Sequence, residues 1–449
     1  MEEINRYEKY KDSGIEWIGE IPEQWDVKKI KHRCYVKGRV GWKGLKSSEF
    51  LTNGFSYLVT GTDFKNDTVD WDNCYHIDEE RYNEDPYIQL QNEDLLITKD
   101  GTIGKLAVVS NLDKPACLNS GIFVVRSTKE DFSTRYLLWV LKSSTFTDFN
   151  GLTAYGSTIQ HLYQNVFVEF AFAFPSVNTQ ISIADYLQKK TAEIDQIIAN
   201  KQQLITYYEE EKQAIINQAV TKGLDHNVKM KDSGVEWLGE IPEHWIIKKL
   251  KHITEVKDGT HDTPDYVTES ENSIPLITSK DITSNCIDFS DCKHIAYEDY
   301  LIINNRSNVT YNDIIMPMIG TVGGAVIVDT NRPFSIKNVA LFKTSAINCN
   351  VKYIKFFIDS EVIKKQFEIE SRGGVQNFVS LSLLRNLYAF DVPKVEQDAI
   401  VTYIENESNN INLLIEKFNK QIDLLQEYRT TLISEVVTGK IKVPNTIEA

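Results

Sequence analysis

Two basic clusters stand out in this chain: Lys28, Lys29 and Lys31 with His32, and Lys248, Lys249 and Lys251 with His252. Lysines grouped in this way can neutralise phosphates and set a protein's register on a duplex. The same residues on a solvated strand face would bind nothing. A glycine turn, Gly101-Thr102-Ile103-Gly104, has Lys99 and Lys105 beside it, and Gly320-Thr321-Val322-Gly323 answers it later without flanking lysines. Glycines allow tight turns and close backbone approach to another molecule, although such a string also describes an ordinary hairpin turn. Ser157, Gln160 and His161 follow Gly156, and Gln376 and Asn377 follow Gly374. Side-chain amides can bond bidentately to adenine edges; they cap turns equally well. A third loop interleaves Arg39, Trp42, Lys43 and Lys46, against Thr260, His261, Thr263 and Tyr266 in the later copy. Basic and aromatic residues so mixed suit nucleic-acid contact or a plain surface loop. Lys280 completes the set of candidates.

No catalytic constellation accompanies these residues. The chain has no Walker-type phosphate loop, no GxGxxG, no HExxH and no Gly-x-Ser-x-Gly. The nearest strings to an amino-methyltransferase turn, Asn331-Arg332-Pro333-Phe334 and Glu84-Asp85-Pro86-Tyr87, lack its double proline. The residues point to binding without turnover.

The elements that must position the candidates come in duplicate. Residues 11–32 and 231–252 share 16 of 22 positions at an offset of 220 (231 − 11). Gly156 is matched by Gly374, Pro175 by Pro393, Gln180 by Gln397, and Val220-Thr221 by Val437-Thr438. A period so far above roughly 50 residues is a duplicated domain and not a solenoid. Between the landmarks the copies diverge, as GRVGWKGLKSSEF (38–50) and DGTHDTPDYVTE (258–269) show. Short β-rich runs predict strands at Phe55–Val59, Leu95–Thr98, Leu106–Val109 and Ile122–Val125, and in the second copy at Ile274–Thr278, Ile314–Met318, Ala325–Val328 and Val339–Phe342. One helix is predicted per copy after them, over Thr134–Phe146 and Val351–Phe367. Each half is then an irregular α+β domain.

Residues 180–222 contain neither Pro nor Gly. Leu187, Ile194, Lys201, Tyr208 and Ile215 recur at heptad position a, widened by Leu204 and its neighbours. The second copy repeats Ile404, Ile411, Phe418, Leu425 and Leu432 at that position. Such stripes predict an antiparallel coiled coil with Lys201 facing the Phe418 register. A helix of about 40 residues is roughly 60 Å long, enough for a spacer with one domain at each end. The organisation is 1–179, 180–222, 223–396 and 397–449: domain, central helix, domain, C-terminal helix and tail.

Lys and Arg number 49 against 64 Asp and Glu, a net charge of −15. A uniformly acidic surface would repel phosphate, so a DNA-binding role requires basic residues gathered locally or supplied by a partner. The six cysteines form no paired CxxC, and no apolar run approaches a membrane span, so a reduced, cytoplasmic chain without structural zinc is expected.

The openings SGIEWIGEIPEQW and SGVEWLGEIPEHW, the strings GRVGWKGL, DGTHDTPDY, KDGTIG and MIGTVG, and the endings INQAVTKGL and ISEVVTGKI are together specific. In this ordered combination the chain resembles, over essentially its full length, the specificity subunit of a type I restriction–modification system. The resemblance implies two target recognition domains, each reading half of a split target in double-stranded DNA, with the paired helices as spacer. It implies no cofactor in this chain. S-adenosylmethionine, ATP and Mg are expected in two modification subunits and in restriction subunits, and the modification subunits help to enclose the DNA. A stand-alone enzyme, or a non-catalytic scaffold joining two protein partners without DNA reading, stays open on the residues alone. Changing the length of the long helices is expected to alter the spacer of the methylated motif and leave both half-sites intact. Motif mapping that found changed half-sites at unchanged spacing would contradict this.

Overall fold

The computed structural model describes residues 5–39, 44–153, 161–283, 286–319, 323–344, 349–370 and 379–444. The chain divides into two compact units, residues 1–201 with 419–449, and residues 202–418. Each unit therefore holds the globular part of one repeat, the start of one long helix and the end of the other.

In the first unit a six-stranded sheet runs in the order Cys34–Gly38, Ile122–Ser127, Leu95–Thr98, Leu106–Val108, Thr68–Val69, Phe64–Lys65. A three-stranded sheet in the order Ala116–Leu118, Ser56–Val59, Tyr75–Ile77 belongs to the same unit. The second unit has a four-stranded sheet of Glu255–Asp258, Val339–Lys343, Ile314–Pro317 and Val326–Ile327. Its other four-stranded sheet comprises Tyr266–Val267, Lys293–Ala296, Ser273–Ile277 and Ser335–Ile336. Central strands such as Leu95–Thr98 and Ile314–Pro317 are buried on both faces, which is why they read as continuous apolar runs rather than alternations.

The single helix expected in each copy is two. Thr134–Lys142 and Ser144–Thr153 meet at Ser143, and Val351–Ile358 and Glu361–Glu370 meet just before and after Asp359 and Ser360. The cause is the same serine in both. Ser143 Oγ donates to the Val140 carbonyl and Ser360 Oγ to the Phe357 carbonyl, each at 2.6 Å, taking acceptors that the helix would otherwise use.

The long helices span Val177–Lys222 and Lys394–Val437, beginning a few residues before the expected starts, two residues after Pro175 and one after Pro393. At 1.5 Å per residue the first is about 70 Å long. Antiparallel contacts join them within each unit. In the first unit Asp195 meets Arg429 and Lys201 meets Gln421; in the second Tyr208 stacks on Phe418 and Lys212 meets Asn412. Leu187, Ile194, Leu432, Ile404 and Ile411 are buried as expected, while Tyr208, Ile215, Phe418 and Leu425 are half-buried. Leu204 is a correction: it is 41% exposed, and half-buried Ile205 carries the stripe instead. A helix of 3.6 residues per turn drifts about 20° per heptad against a 3.5 repeat, moving the seam from position d towards e.

Each helix end is fastened to a repeat opening. Gly439, at φ 76°, follows the second helix so closely to Pro22 and Trp25 that a Cβ would lie 2.5 Å from Pro22 Cδ. Gly14, at φ 71°, has open space where its Cβ would be. Gly14→Ala should therefore cost only the left-handed backbone penalty, about 1–2 kcal/mol. Gly439→Ala should add overpacking and cost roughly 3 kcal/mol or more. Equal Tm losses in thermal unfolding of the two variants would contradict this packing.

Candidate nucleic-acid interface

The first basic cluster sits on the strand Asp26–Lys29, paired antiparallel with Ala171–Phe174, and on the turn after it. Its charge is largely spent within the protein. Lys28 lies 3.2 Å from Asp26, and Glu169 takes Lys29 at 2.9 Å and Lys31 at 2.5 Å. Hydrogen bonds from Lys31 and then Lys29 hold the Glu169 carboxyl down to about 2. In the second copy Lys248 pairs with Asp391 at 2.6 Å, Lys251 bonds Asn386 at 3.2 Å, and the Lys249 ammonium stands 3.3 Å from the Tyr388 ring centre. His32 and His252 are exposed at the ends of the two turns.

The first glycine turn is a built loop. Thr98 Oγ1 donates to the Thr102 carbonyl and accepts from the Lys105 N–H at 2.9 Å, which fixes both ends. Gly101 and Gly104 take φ 68° and 84° with nothing near their Cβ positions. Thr102 and Lys105 are exposed, and the Lys99 ammonium lies 3.4 Å from Asp100. His161 reaches the same Asp100 through Nδ1, and Leu162 N–H donates to the Lys99 carbonyl. Two loops about 60 residues apart in sequence thus meet at one point. The second copy repeats the anchor, with Val379 N–H donating to the Met318 carbonyl beside Gly323 and Gly324. Trp42, Lys43, Ser157, Gln160, Thr321, Gln376 and Asn377 lie outside the described residues.

Arg39 requires correction. It is only 3% exposed, and its guanidinium donates to the Leu118 carbonyl at 2.9 Å and to Cys117 Sγ. Burial makes it a tie between the two sheets of its domain and not a surface cation. Lys46 is exposed, its backbone N–H bonded to Glu49. Thr260 is half-buried, with its N–H on the Ile336 carbonyl. The His261 ring is held between Asp258 and Asn338 at 2.9 Å each. Asp258 is buried and also receives Arg306 at 2.6 Å. Lys280 is exposed on a short turn closed by a reciprocal Thr278–Asp281 cap.

Sequence reasoning missed one duplicated ion pair beneath these loops. Asp94, almost fully buried, takes Arg126 through both oxygens at 2.7 Å. Asp313 takes Lys343 at 2.5 Å, both buried. Aligning the copies residue by residue would have brought out the two acids, but their depth is a tertiary property. Among the described residues no group of acidic, His and Cys side chains could hold a metal, and no helix is long and apolar enough to cross a membrane.

Residues 22–207 match the family model described as the type I restriction modification DNA specificity domain. The chain is 21% identical over 436 residues to the type I restriction enzyme MjaVIII specificity subunit of Methanocaldococcus jannaschii, covering 95% of both. It is 22% identical to the MjaIX specificity subunit of the same organism, again over 95% of both, and 22% identical to the EcoBI specificity subunit of Escherichia coli over 78% of this chain and 74% of that one. Its fold is similar to a chain from a structure on assembly and conformational transition of the type I R-M system, with a TM-score of 0.66 at 13% identity, covering 93% of this chain and 98% of that one. The HsdS subunit from Thermoanaerobacter tengcongensis gives 0.56 at 12% identity, covering 94% and 98%. The fold is similar to that of these two solved chains over more than nine-tenths of this chain. That architecture accounts for the duplicated anchors: a fixed frame presents loops free to differ.

In a chain with both Lys29 and Lys31 changed to Gln, the Glu169 pKa should rise from about 2 towards its ordinary 4.5. A depressed carboxylate pKa means that the ion-paired form survives normal acidification and is lost only as pH falls through about 2. A carboxylate-resolved NMR titration from pH 3 to 6 checks this. Glu169 should stay ionised in the unaltered chain and titrate in the variant.

Proposed function

We propose that this chain is the DNA sequence-specificity subunit of a type I restriction–modification complex. Each recognition domain reads one half of an asymmetric bipartite target in double-stranded DNA. The paired long helices set the spacing and dock two modification subunits, which bring S-adenosylmethionine; restriction subunits with ATP and Mg complete the nuclease form. The chain itself chooses the sequence and performs no chemistry.

One observation carries this reading: the same buried anchors occur twice while the loops they hold differ. Leu162 and Val379 make the same loop anchor, and Gln180 and Gln397 make the same helix clamp. Against that constancy, one variable loop offers Lys46 and the other His261, and a later turn offers Thr62 in one copy and Lys280 in the other. Two unlike readers on one frame imply two unlike half-sites. The full-length similarity to specificity subunits supports the same conclusion.

The test is adenine-methylation mapping in cells expressing this chain with its methyltransferase subunit, before and after residues 1–179 are exchanged for another recognition domain. A split motif in which only one half changes is expected. Identical methylation, or methylation independent of this chain, would favour a scaffold that joins two proteins without reading DNA.

A further inference from the structure

Each unit carries a cleft between its globular domain and its own helix segments; the two share their helix-side lining, with Lys212, Glu405 and Ser408 at the positions of Arg429, Gln188 and Thr191, and they differ in charge. In the second unit the cleft is about 1030 Å³, and its charged lining is Lys212, Lys280, Lys355 and Lys364 against Asp359 and Glu405. In the first it is about 560 Å³, with Arg135 and Arg429 against Asp67, Glu93 and Asp195. Four cations face two anions in one, and two face three in the other.

The repeat explains where the excess comes from. Helix positions correspond at an offset of 217, as Val220 and Val437 do (437 − 220). Lys212 therefore stands at the position of Arg429, and Asn412 at that of Asp195. In the first unit Arg429 bonds both oxygens of Asp195, at 2.9 and 3.2 Å. In the second the same contact joins Lys212 to the Asn412 side-chain oxygen at 3.0 Å. An amide replaces the carboxylate, so the ammonium keeps its net charge. Lys280 stands at the position of Thr62. The matching caps fix that correspondence: Thr60 donates to Asp63, and Thr278 to Asp281, each through both its N–H and its hydroxyl. Lys280 is exposed and has no side-chain partner among the described residues. By contrast Lys355 is paired with Asp359 and Lys364 with Glu361, while Glu405 is occupied by Lys352.

We propose that the second unit's cleft holds DNA phosphate backbone through Lys212 of the long helix and Lys280 of the recognition domain, and that the first unit's cleft does not. The proposal rests on the DNA-reading function above. A chain of net charge −15 that holds phosphate itself does so through cations that keep their charge, and Lys212 and Lys280 line one cleft together. Gly323 and Gly324 line the cleft at φ 106° and 69° with open space at their Cβ positions, leaving their backbone free to approach a ligand. The half-sites would then be held unequally, with non-specific grip concentrated on the second.

The test uses the full chain assembled with its methyltransferase subunit. Binding to a duplex carrying the mapped motif and to a scrambled duplex is measured across a salt series. Lys212→Gln and Lys280→Gln should each make the slope of log affinity against log salt shallower by about 1, weakening both duplexes alike. Asn412→Asp keeps Lys212 but supplies the carboxylate that the first unit has, and should reproduce the Lys212→Gln result. Arg429→Gln should leave the slope unchanged. Unaltered slopes in Lys212→Gln and Asn412→Asp would overturn the proposal. So would a loss confined to assembly with the methyltransferase subunit, which would assign the cleft to an acidic protein segment. An unaltered complex with no preference for its motif would overturn the DNA-reading function itself, and this proposal with it.

Discussion

Each long helix is held to its globular domain by one buried glutamine in its first turn. Gln180 donates to the Pro175 and Asp131 carbonyls and accepts from the Ser133 N–H at 2.9 Å. Gln397 repeats the arrangement in the second unit, donating to the Val392 carbonyl and accepting from the Asn350 N–H at 2.8 Å. Both are almost completely buried. A buried polar group left unpaired costs about 1–3 kcal/mol, so the amide specifies one helix direction and one strand end where an apolar contact would tolerate several. The strand before the helix, the paired short helices after Ser133 and Asn350, and the long helix itself all take their positions from this residue. The loops come last in that chain of dependence, which is why they can vary.

The opposite ends of the helices are fastened by packing. Gly223 lies against Trp245 and Pro242, as Gly439 lies against Trp25 and Pro22. The tryptophan and proline of each repeated opening motif therefore form the seat for a helix end, in the first copy that of the C-terminal helix and in the second that of the helix just before the motif. Trp245 is fully buried, and its indole N–H donates to Glu396 at 3.1 Å. That seat gives residues 11–32 and 231–252 a structural role in common.

Electrostatics follows the same division between frame and filling. The first basic cluster of the frame is compensated by Asp26 and Glu169, and in the second Asp391 pairs with Lys248 while Lys249 and Lys251 meet the Tyr388 ring and the Asn386 amide. Outside the repeated motif, Lys105 on the glycine turn and Lys280 are exposed. Net charge hides this, because a count of −15 cannot say which lysines have already found a carboxylate.

The sequence by itself determined the duplication, the α+β character of each half, the central strands and the two long helices, because apolar runs and heptad stripes are local patterns. It also marked Leu187, Ile194, Ile404, Ile411 and Leu432 as seam residues, all of which are buried. Three things only the tertiary structure decided. Arg39 reads as a surface cation beside an aromatic loop, yet the sheet packing of its domain encloses it against Leu118. Leu204 reads as seam, yet helix drift turns it outward. Asp100 and His161, far apart in sequence, meet because Leu162 is tied to Lys99. In each case the deciding quantity is which distant groups a side chain meets once folded, and a local pattern carries no information about that.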